Sequence, residues 1–399
     1  MSAPLDLAAV HVPHTSLHDR WRHWLQRLYA SETLYRWSLS NPFTRHITRQ
    51  RTRQLFDLMA GFVHSQVLLA CVRLGVFEAL REAPDTVAAL ARRSGVPEPE
   101  MQRLLLSAVS LGLLEHRSAG RLGLGPLGVP LTTHPGIAQM VEHNQLLYQD
   151  LSDPLAFLRQ GQQPSSARHV QPGDMARYWP YAHGGLDAVQ RPEASEQVAR
   201  YSGLMAESQG FVVHEILSSY FFGEHRCVLD VGAGQGRFVS ALARHAPHLQ
   251  LQMFDLPPVL AQAGERLAQA GLRERVQLHP GSFIDDPLPT GADLITLVRV
   301  AHDHPDAVVR LILQKAFAAL PPGGVLLIAE PMAQAADAQP DHQADAYYHF
   351  YLMAMGAGRL RSVQEFTALL REAGFTAIEQ VPNAMPIHGQ LVLGRKPKA

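Results

Sequence analysis

Val228-Leu-Asp-Val-Gly-Ala-Gly-Gln-Gly-Arg-Phe238 decides the fold, because strand-forming residues pass directly into a glycine turn and then into a helix. Gly232, Gly234 and Gly236 carry no Cβ, so the backbone can approach a ligand there, and the helix that follows presents unpaired N–H groups. Spacing narrows the ligand. A dinucleotide fingerprint needs Gly-x-Gly-x-x-Gly, whereas the third glycine here comes one residue early and position 237 is arginine. The turn suits a carboxylate and a ribose as well as a phosphate, and the spacing disfavours a pyrophosphate. A nicotinamide dehydrogenase, the obvious rival on such a sheet, loses its motif.

Around this stretch, strand-like runs at Cys227–Val231, Leu249–Phe254, Val276–His279, Leu294–Val300 and Val325–Ala329 alternate with helical segments, the pattern of a parallel sheet with crossover helices. Ala377–Val381 and Gln390–Gly394 follow a helix over Val363–Ala373 and add two more strands. Ligands of such sheets lie at the C-terminal strand ends. Asp255, in Phe-Asp-Leu-Pro-Pro, ends the second strand and is placed to accept ribose hydroxyls, with Leu256 beside it. Leu297-Val-Arg-Val-Ala-His302-Asp-His-Pro begins as a strand and ends in polar residues. His302 therefore faces the same crevice as a proton acceptor for neutral pH. The plainer readings are a helix cap for Asp303 and surface histidines among the 21 present. A His-Asp-His metal site has no third ligand at a recognisable spacing.

The N-terminal half is mainly helical. Trp21, Trp24, Leu25, Leu28 and Tyr29 form one apolar helix face with Arg20, Arg22 and Arg27 between them, which suits packing on the body or a dimer mate, or contact with a membrane surface. A long helix through Val67 to Leu74 ends near Gly75. Thr86–Gly95 and Pro99–Leu111 then form a helix pair, and Leu113–Glu115 with Arg121–Leu124 forms a β-wing. Winged helices bind DNA, so a ligand-responsive regulator is a rival of another class. Between Asp85 and Leu131, however, five arginines meet four acids, and the second helix is mostly apolar. The chain's net charge of −1 likewise speaks against nucleic acid. Four regions are expected: 1–55, a helical extension; 56–135, winged-helix-like; 136–200, a helical linker holding Tyr178, Trp179 and Tyr181; and 201–399, the α/β domain.

Charged residues are 18% and hydrophobic ones 46%, a folded protein rather than a disordered one. Cys71 and Cys227 show no disulfide or zinc spacing, the start of the chain lacks a signal pattern, and no apolar run of about 18 residues spans a membrane. The expected location is the cytoplasm, with peripheral membrane contact through the Trp-rich helix as the sharper alternative.

In order, Leu-Asp-Val-Gly-Ala-Gly-Gln-Gly, Phe-Asp-Leu-Pro, Gly281-Ser-Phe, Arg-Val-Ala-His-Asp, Leu-Pro-Pro-Gly-Gly-Val-Leu-Leu-Ile-Ala-Glu330 and Glu372-Ala-Gly-Phe375 resemble the caffeate-type and bacterial small-molecule O-methyltransferases. The resemblance runs from about residue 60 to the end. It is nearest to the carotenoid hydroxyl O-methyltransferases of phototrophic bacteria (demethylspheroidene or hydroxyneurosporene type), by Gly-Ser-Phe, Val-Arg-Val-x-His-Asp-His and Asn41-Pro-Phe. It implies a class I methyltransferase Rossmann-like sheet with its last strand antiparallel, preceded by a winged-helix-like dimerisation domain, and a homodimer. It also implies S-adenosyl-L-methionine as donor, held by Gly232, Gly234, Gly236, Asp255, Leu256, Ser282, Phe283 and Arg299, no metal, and His302 as general base. The acceptor implied is a hydroxylated carotenoid, with a soluble phenolic or polyketide hydroxyl as the alternative. Two positions depart from the pattern. Ser282 stands where an aspartate is common, and Leu360 where a glutamate usually orients the histidine, which leaves Glu330 for that task. Met205, Phe211, Tyr347, Tyr348, Phe350, Tyr351, Met353 and Met355 are candidates for an apolar roof, or for ordinary core.

Overall fold

The computed structural model describes residues 16–159, 175, 210–334, 343–356, 358–385 and 389–398. Tyr178, Trp179, Tyr181 and Met205, and most of the expected linker, lie outside them.

Helices α1 (Leu17–Tyr29), α2 (Glu32–Ser40) and α3 (Arg45–Arg73) lead the chain. Ser16 opens α1 with a capping box to Asp19, in which each side chain satisfies the other residue's backbone N–H. At 29 residues, α3 starts well before the apolar periodicity does, because its first turns are arginine- and threonine-rich and exposed. It is also long and apolar enough to cross a membrane by length and composition. Asp57, His64 and Gln66 interrupt the apolar run, so continuous hydrophobicity did not single it out.

The chain continues through α4 (Val76–Leu80), β1 (Asp85–Thr86), α5 (Val87–Ser94), α6 (Glu98–Ser110), β2 (Leu114–His116), β3 (Arg121–Leu124), α7 (Val129–Thr133), α8 (Pro135–Asp150) and α9 (Pro154–Arg159). This is the winged-helix pattern. Thr86 caps α5, Gly95 ends it in the left-handed region, and β2 pairs antiparallel with β3. The two-residue strand β1, too short to show periodicity, pairs with β3 on its other side. Cys71, Phe77, Leu90, Met101, Leu105 and Leu114 fill one core beneath these elements.

The second body contains α10 (Gly210–Ser219), β4 (Cys227–Val231), α11 (Arg237–His245), β5 (Gln250–Asp255), α12 (Pro257–Gln269), β6 (Val276–Pro280), β7 (Leu294–Val298), α13 (Asp306–Ala319), β8 (Val325–Glu330), β9 (Met332–Ala333), α14 (Gln343–Met355), β10 (Arg361–Ser362), α15 (Val363–Glu372), β11 (Thr376–Val381) and β12 (Gln390–Arg395). Seven strands form one sheet in the order β11-β12-β8-β7-β4-β5-β6. All are parallel except β12, which runs antiparallel to both neighbours, as expected of the last strand. β4, β7 and β8 are buried along their whole length, so they read as mostly apolar runs, broken only by Asp230, Thr296 and Glu330, with one apolar core on each face of the sheet. The strand expected to reach Val300 stops at Val298. Arg299 takes a φ of 57°, a conformation that L residues other than glycine rarely adopt, and turns the chain into a single 3₁₀ turn at Ala301–Asp303.

Candidate active site

Chain order reverses between β4 and β7, the switch point where such sheets open a crevice. The glycine turn leaves β4 on one side of it. Gly232, Gly234 and Gly236 all have positive φ, but they do different work. A Cβ on Gly232 would meet Val300 Cγ2 at 2.7 Å, and one on Gly236 would meet Met253 Cε at 3.1 Å, so at these two the protein's own packing leaves no room for a side chain. A Cβ on Gly234 would meet nothing within 4 Å. Beside it Gln235 is buried, with Oε1 unpartnered, a group placed to accept from a ligand. Asp255 Oδ2 accepts the Gly234 N–H at 2.8 Å and Oδ1 the Leu256 N–H at 2.7 Å, fixing the carboxylate at the mouth of the turn. Burial pushes its pKa up to about 6 against those two hydrogen bonds.

Ser282 and Phe283 lie in the turn after β6. The Ser282 hydroxyl donates to Asp285 Oδ2 at 2.9 Å and accepts from the Ile284 and Asp285 N–H groups, so it closes its own turn. Asp286 takes the Ser282 N–H at 2.8 Å. Sequence spacing did not bring out these two aspartates. Phe283 packs edge-on against His304, ring centres 5.2 Å apart.

On the other side of the crevice, His302 is buried and its Nδ1 lies 2.5 Å from Glu330 Oε2. The other oxygen of Glu330 accepts from Val300 N–H at 2.7 Å and Ala301 N–H at 2.6 Å, so a fully buried carboxylate has three donors. With Nδ1–H given to Glu330, Nε2 keeps its lone pair, 3.3 Å from Asp303 Oδ1. Burial pulls the His302 pKa down, but Asp303, Glu330 and the hydrogen bond to Glu330 outweigh it and the net shift is upward. The positive charge of Arg299 opposes that rise. Leu360 has no side-chain acceptor to offer the histidine. It sits in an apolar cluster with Tyr351, Met355 and Leu147.

Helix α14 covers this side. Tyr351 and Met355 are core, Tyr347, Tyr348 and Phe350 are partly buried, and Met353 faces outward. Tyr347 Oη donates to Asn144 Oδ1 at 2.8 Å and Tyr351 Oη meets His143 Nε2 at 3.3 Å, so α14 is fastened to α8. Among the described residues no cluster of His, Cys, Asp and Glu is arranged to hold a metal ion.

Residues 160–376 match the O-methyltransferase domain and residues 56–133 the O-methyltransferase dimerisation domain. The chain belongs to the O-methyltransferase family. It is 42% identical to the demethylspheroidene O-methyltransferase of Cereibacter sphaeroides over 89% of its own length and 90% of that protein's. To the enzyme of the same name from Rhodobacter capsulatus it is 40% identical, over 90% and 86%. The solved structure of SibL, an S-adenosylmethionine-dependent methyltransferase, superposes with a TM-score of 0.70 at 25% identity, covering 86% of this chain and 99% of that one. With the family comes the reaction class: this is an S-adenosylmethionine-dependent O-methyltransferase of class I fold, carrying the family's dimerisation domain. Open space at Gly234, the unpartnered Gln235 oxygen and the Asp255 carboxylate fit such a donor.

Proposed function

We propose that the enzyme methylates a hydroxyl of a carotenoid, with His302 as the general base, and works as a homodimer at a membrane surface. Identity of 42% to a demethylspheroidene O-methyltransferase over nearly the whole chain carries the choice of acceptor. The donor supplies a methyl group on a sulfonium, so the protein's task is to align an acceptor oxygen with it. Gly234, Gln235 and Asp255 hold the donor. His302 Nε2 takes the hydroxyl proton as oxygen bonds to the methyl carbon and the carbon–sulfur bond breaks. Glu330 holds the tautomer that leaves Nε2 free, and Asp303 stabilises the imidazolium that forms. Burial of the pair keeps water from competing.

The exposed face of α3, with Phe56, Met59, Phe62 and Val63, begins the dimerisation domain and is the surface a second copy covers. Ahead of it, Trp21 and Trp24 on α1 and Trp37 on α2 are more than half exposed, and between residues 16 and 60 eight arginines stand against three acids. Exposed tryptophans with surplus arginine suit an anionic bilayer, where a polyene acceptor resides.

The test supplies labelled donor with a hydroxylated carotenoid in phosphatidylglycerol vesicles or with a soluble phenol. Label in the carotenoid, reduced at least several-fold by Trp21→Ser with Trp24→Ser in vesicles but not in detergent, is the expected result. Label only in the phenol overturns the acceptor, and equal activity of the double variant in vesicles overturns the membrane contact.

A further inference from the structure

We infer that Arg361 is a positioning residue that fixes the His302 turn from the side opposite Glu330. The inference rests on His302 acting as the base. The turn at Ala301–Asp303 has amides on one side and carbonyls on the other. Glu330 takes the amides of Val300 and Ala301. Arg361 takes the carbonyls: Nη1 donates to Ala301 O and Nη2 to His304 O, each at 2.7 Å. The carbonyl between them, of His302 itself, accepts the Arg359 N–H at 3.0 Å. The same guanidinium grips Asp306 Oδ1 through Nε at 2.9 Å and Nη2 at 2.7 Å, which ties the turn to the start of α13.

Arg361 is completely buried. Burying a guanidinium is costly unless its donors are satisfied, and an apolar side chain would fill such a place at lower cost if packing alone mattered. Its planar fork matches several acceptors at once, which a lysine ammonium does not. Register explains how it arrives there: β10 pairs parallel with β9, setting Arg361 opposite Met332, two residues beyond Glu330. One jaw ends β8 and the other sits on β10, the partner of the short strand β9 that follows β8. Gly358 completes the fit, because a Cβ there would run into the carbonyl oxygen of His302 and lie 2.8 Å from Asp303 Cα.

A residue that only stabilised the fold would change melting and leave the histidine's chemistry alone. The test therefore follows three signals in Arg361→Lys: kcat, donor affinity by calorimetry, and the deshielded proton resonance of the His302 Nδ1–H held by Glu330. The charged and titratable groups acting on His302 are Asp303, Glu330, Arg299 and His304; α14, which carries Tyr347 and Tyr351, packs against the turn, and the lysine leaves all of them in place. The expected result is donor affinity within about twofold, kcat down by about 10- to 100-fold as the imidazole loses alignment, and a broadened or missing resonance. Arg359→Ala is the control. Its guanidinium holds the same Asp306 from the solvent side but touches no carbonyl of the turn, so kcat should stay within about threefold. If Arg361→Lys does not fold, Gly358→Ala displaces the same turn without disturbing the ion cluster and should give the same signature. Wild-type kcat with an intact resonance in whichever of the two folds overturns the inference. His302→Ala, run alongside, separates the two readings: full turnover there sinks the base, whereas loss there with wild-type Arg361→Lys sinks only the clamp.

Discussion

The two banks of the crevice are built on different plans. The bank proposed to hold the donor is local: glycine turn, Asp255 and the turn after β6 are each held by neighbours a few residues away or on the adjacent strand, mainly through backbone N–H groups. The bank proposed to activate the acceptor is long-range. His302 is fixed by Glu330, 28 residues on, and its turn by Arg361, about 60 residues on, both fully buried. A bank made of backbone tolerates side-chain loss with its shape intact. One made of buried charges fails as a unit.

The largest effect should separate the banks. His302→Ala should lose at least about 100-fold in kcat while donor affinity holds, since the imidazole is not among the residues proposed to hold the donor and Glu330 keeps two backbone donors. Glu330→Gln should lower kcat alone and add little to His302→Ala, because members of one unit are not additive. In the wild type, turnover should fall as pH drops through the raised His302 pKa, since imidazolium cannot accept a proton. Near-normal turnover in His302→Ala would leave alignment alone as the mechanism.

The converse variant tests the donor bank. Asp255→Ala should weaken donor binding by about 10- to 100-fold, the loss of a charged hydrogen-bond acceptor worth roughly 1.5–3 kcal/mol. Circular dichroism should stay native, because the Gly234 and Leu256 N–H groups that lose it lie at the mouth of the crevice. Calorimetry showing unchanged affinity would remove Asp255 from the site.

The same contrast governs what the sequence discloses. Strands β4, β7 and β8 and the glycine turn are legible because buried parallel strands are mostly apolar and tight turns demand glycine. His302 is legible because it follows a strand end. Arg361 is not. Within Gly358-Arg-Leu-Arg-Ser it looks like any surface arginine, and only the pairing of β9 with β10 carries it into the core. Ser282 shows the same limit from the other side, since its place beside Phe283 gives no sign that its hydroxyl closes its own turn.

The smallest effect concerns a carboxylate between the banks. Asp230, on β4 opposite Thr296 of β7, is buried as Glu330 is, but among the described residues it accepts one bond, from Thr296 Oγ1 at 2.7 Å, where Glu330 accepts three. Burial accordingly pushes the Asp230 pKa up to about 7; the Thr296 bond opposes this and the nearby Asp255 adds to it. A carboxyl whose folded pKa lies above its unfolded value of 3.8 binds more protons in the folded state, so it costs stability as pH rises from about 4 to about 7. Asp230→Asn keeps an oxygen for the Thr296 hydroxyl and cannot ionise. Stability relative to wild type should therefore increase with pH, by at most about 1.4 kcal/mol per pH unit, and level off above about pH 7. Comparing the two proteins cancels the histidines. His302, raised, loses stabilisation as pH rises, and His143, lowered to about 4 by burial, gains it, equally in both. Denaturant unfolding at pH 5.5, 6.5 and 7.5 measures the difference. A variant curve parallel to wild type would mean that Asp230 is ionised throughout, with the switch point held by charge after all.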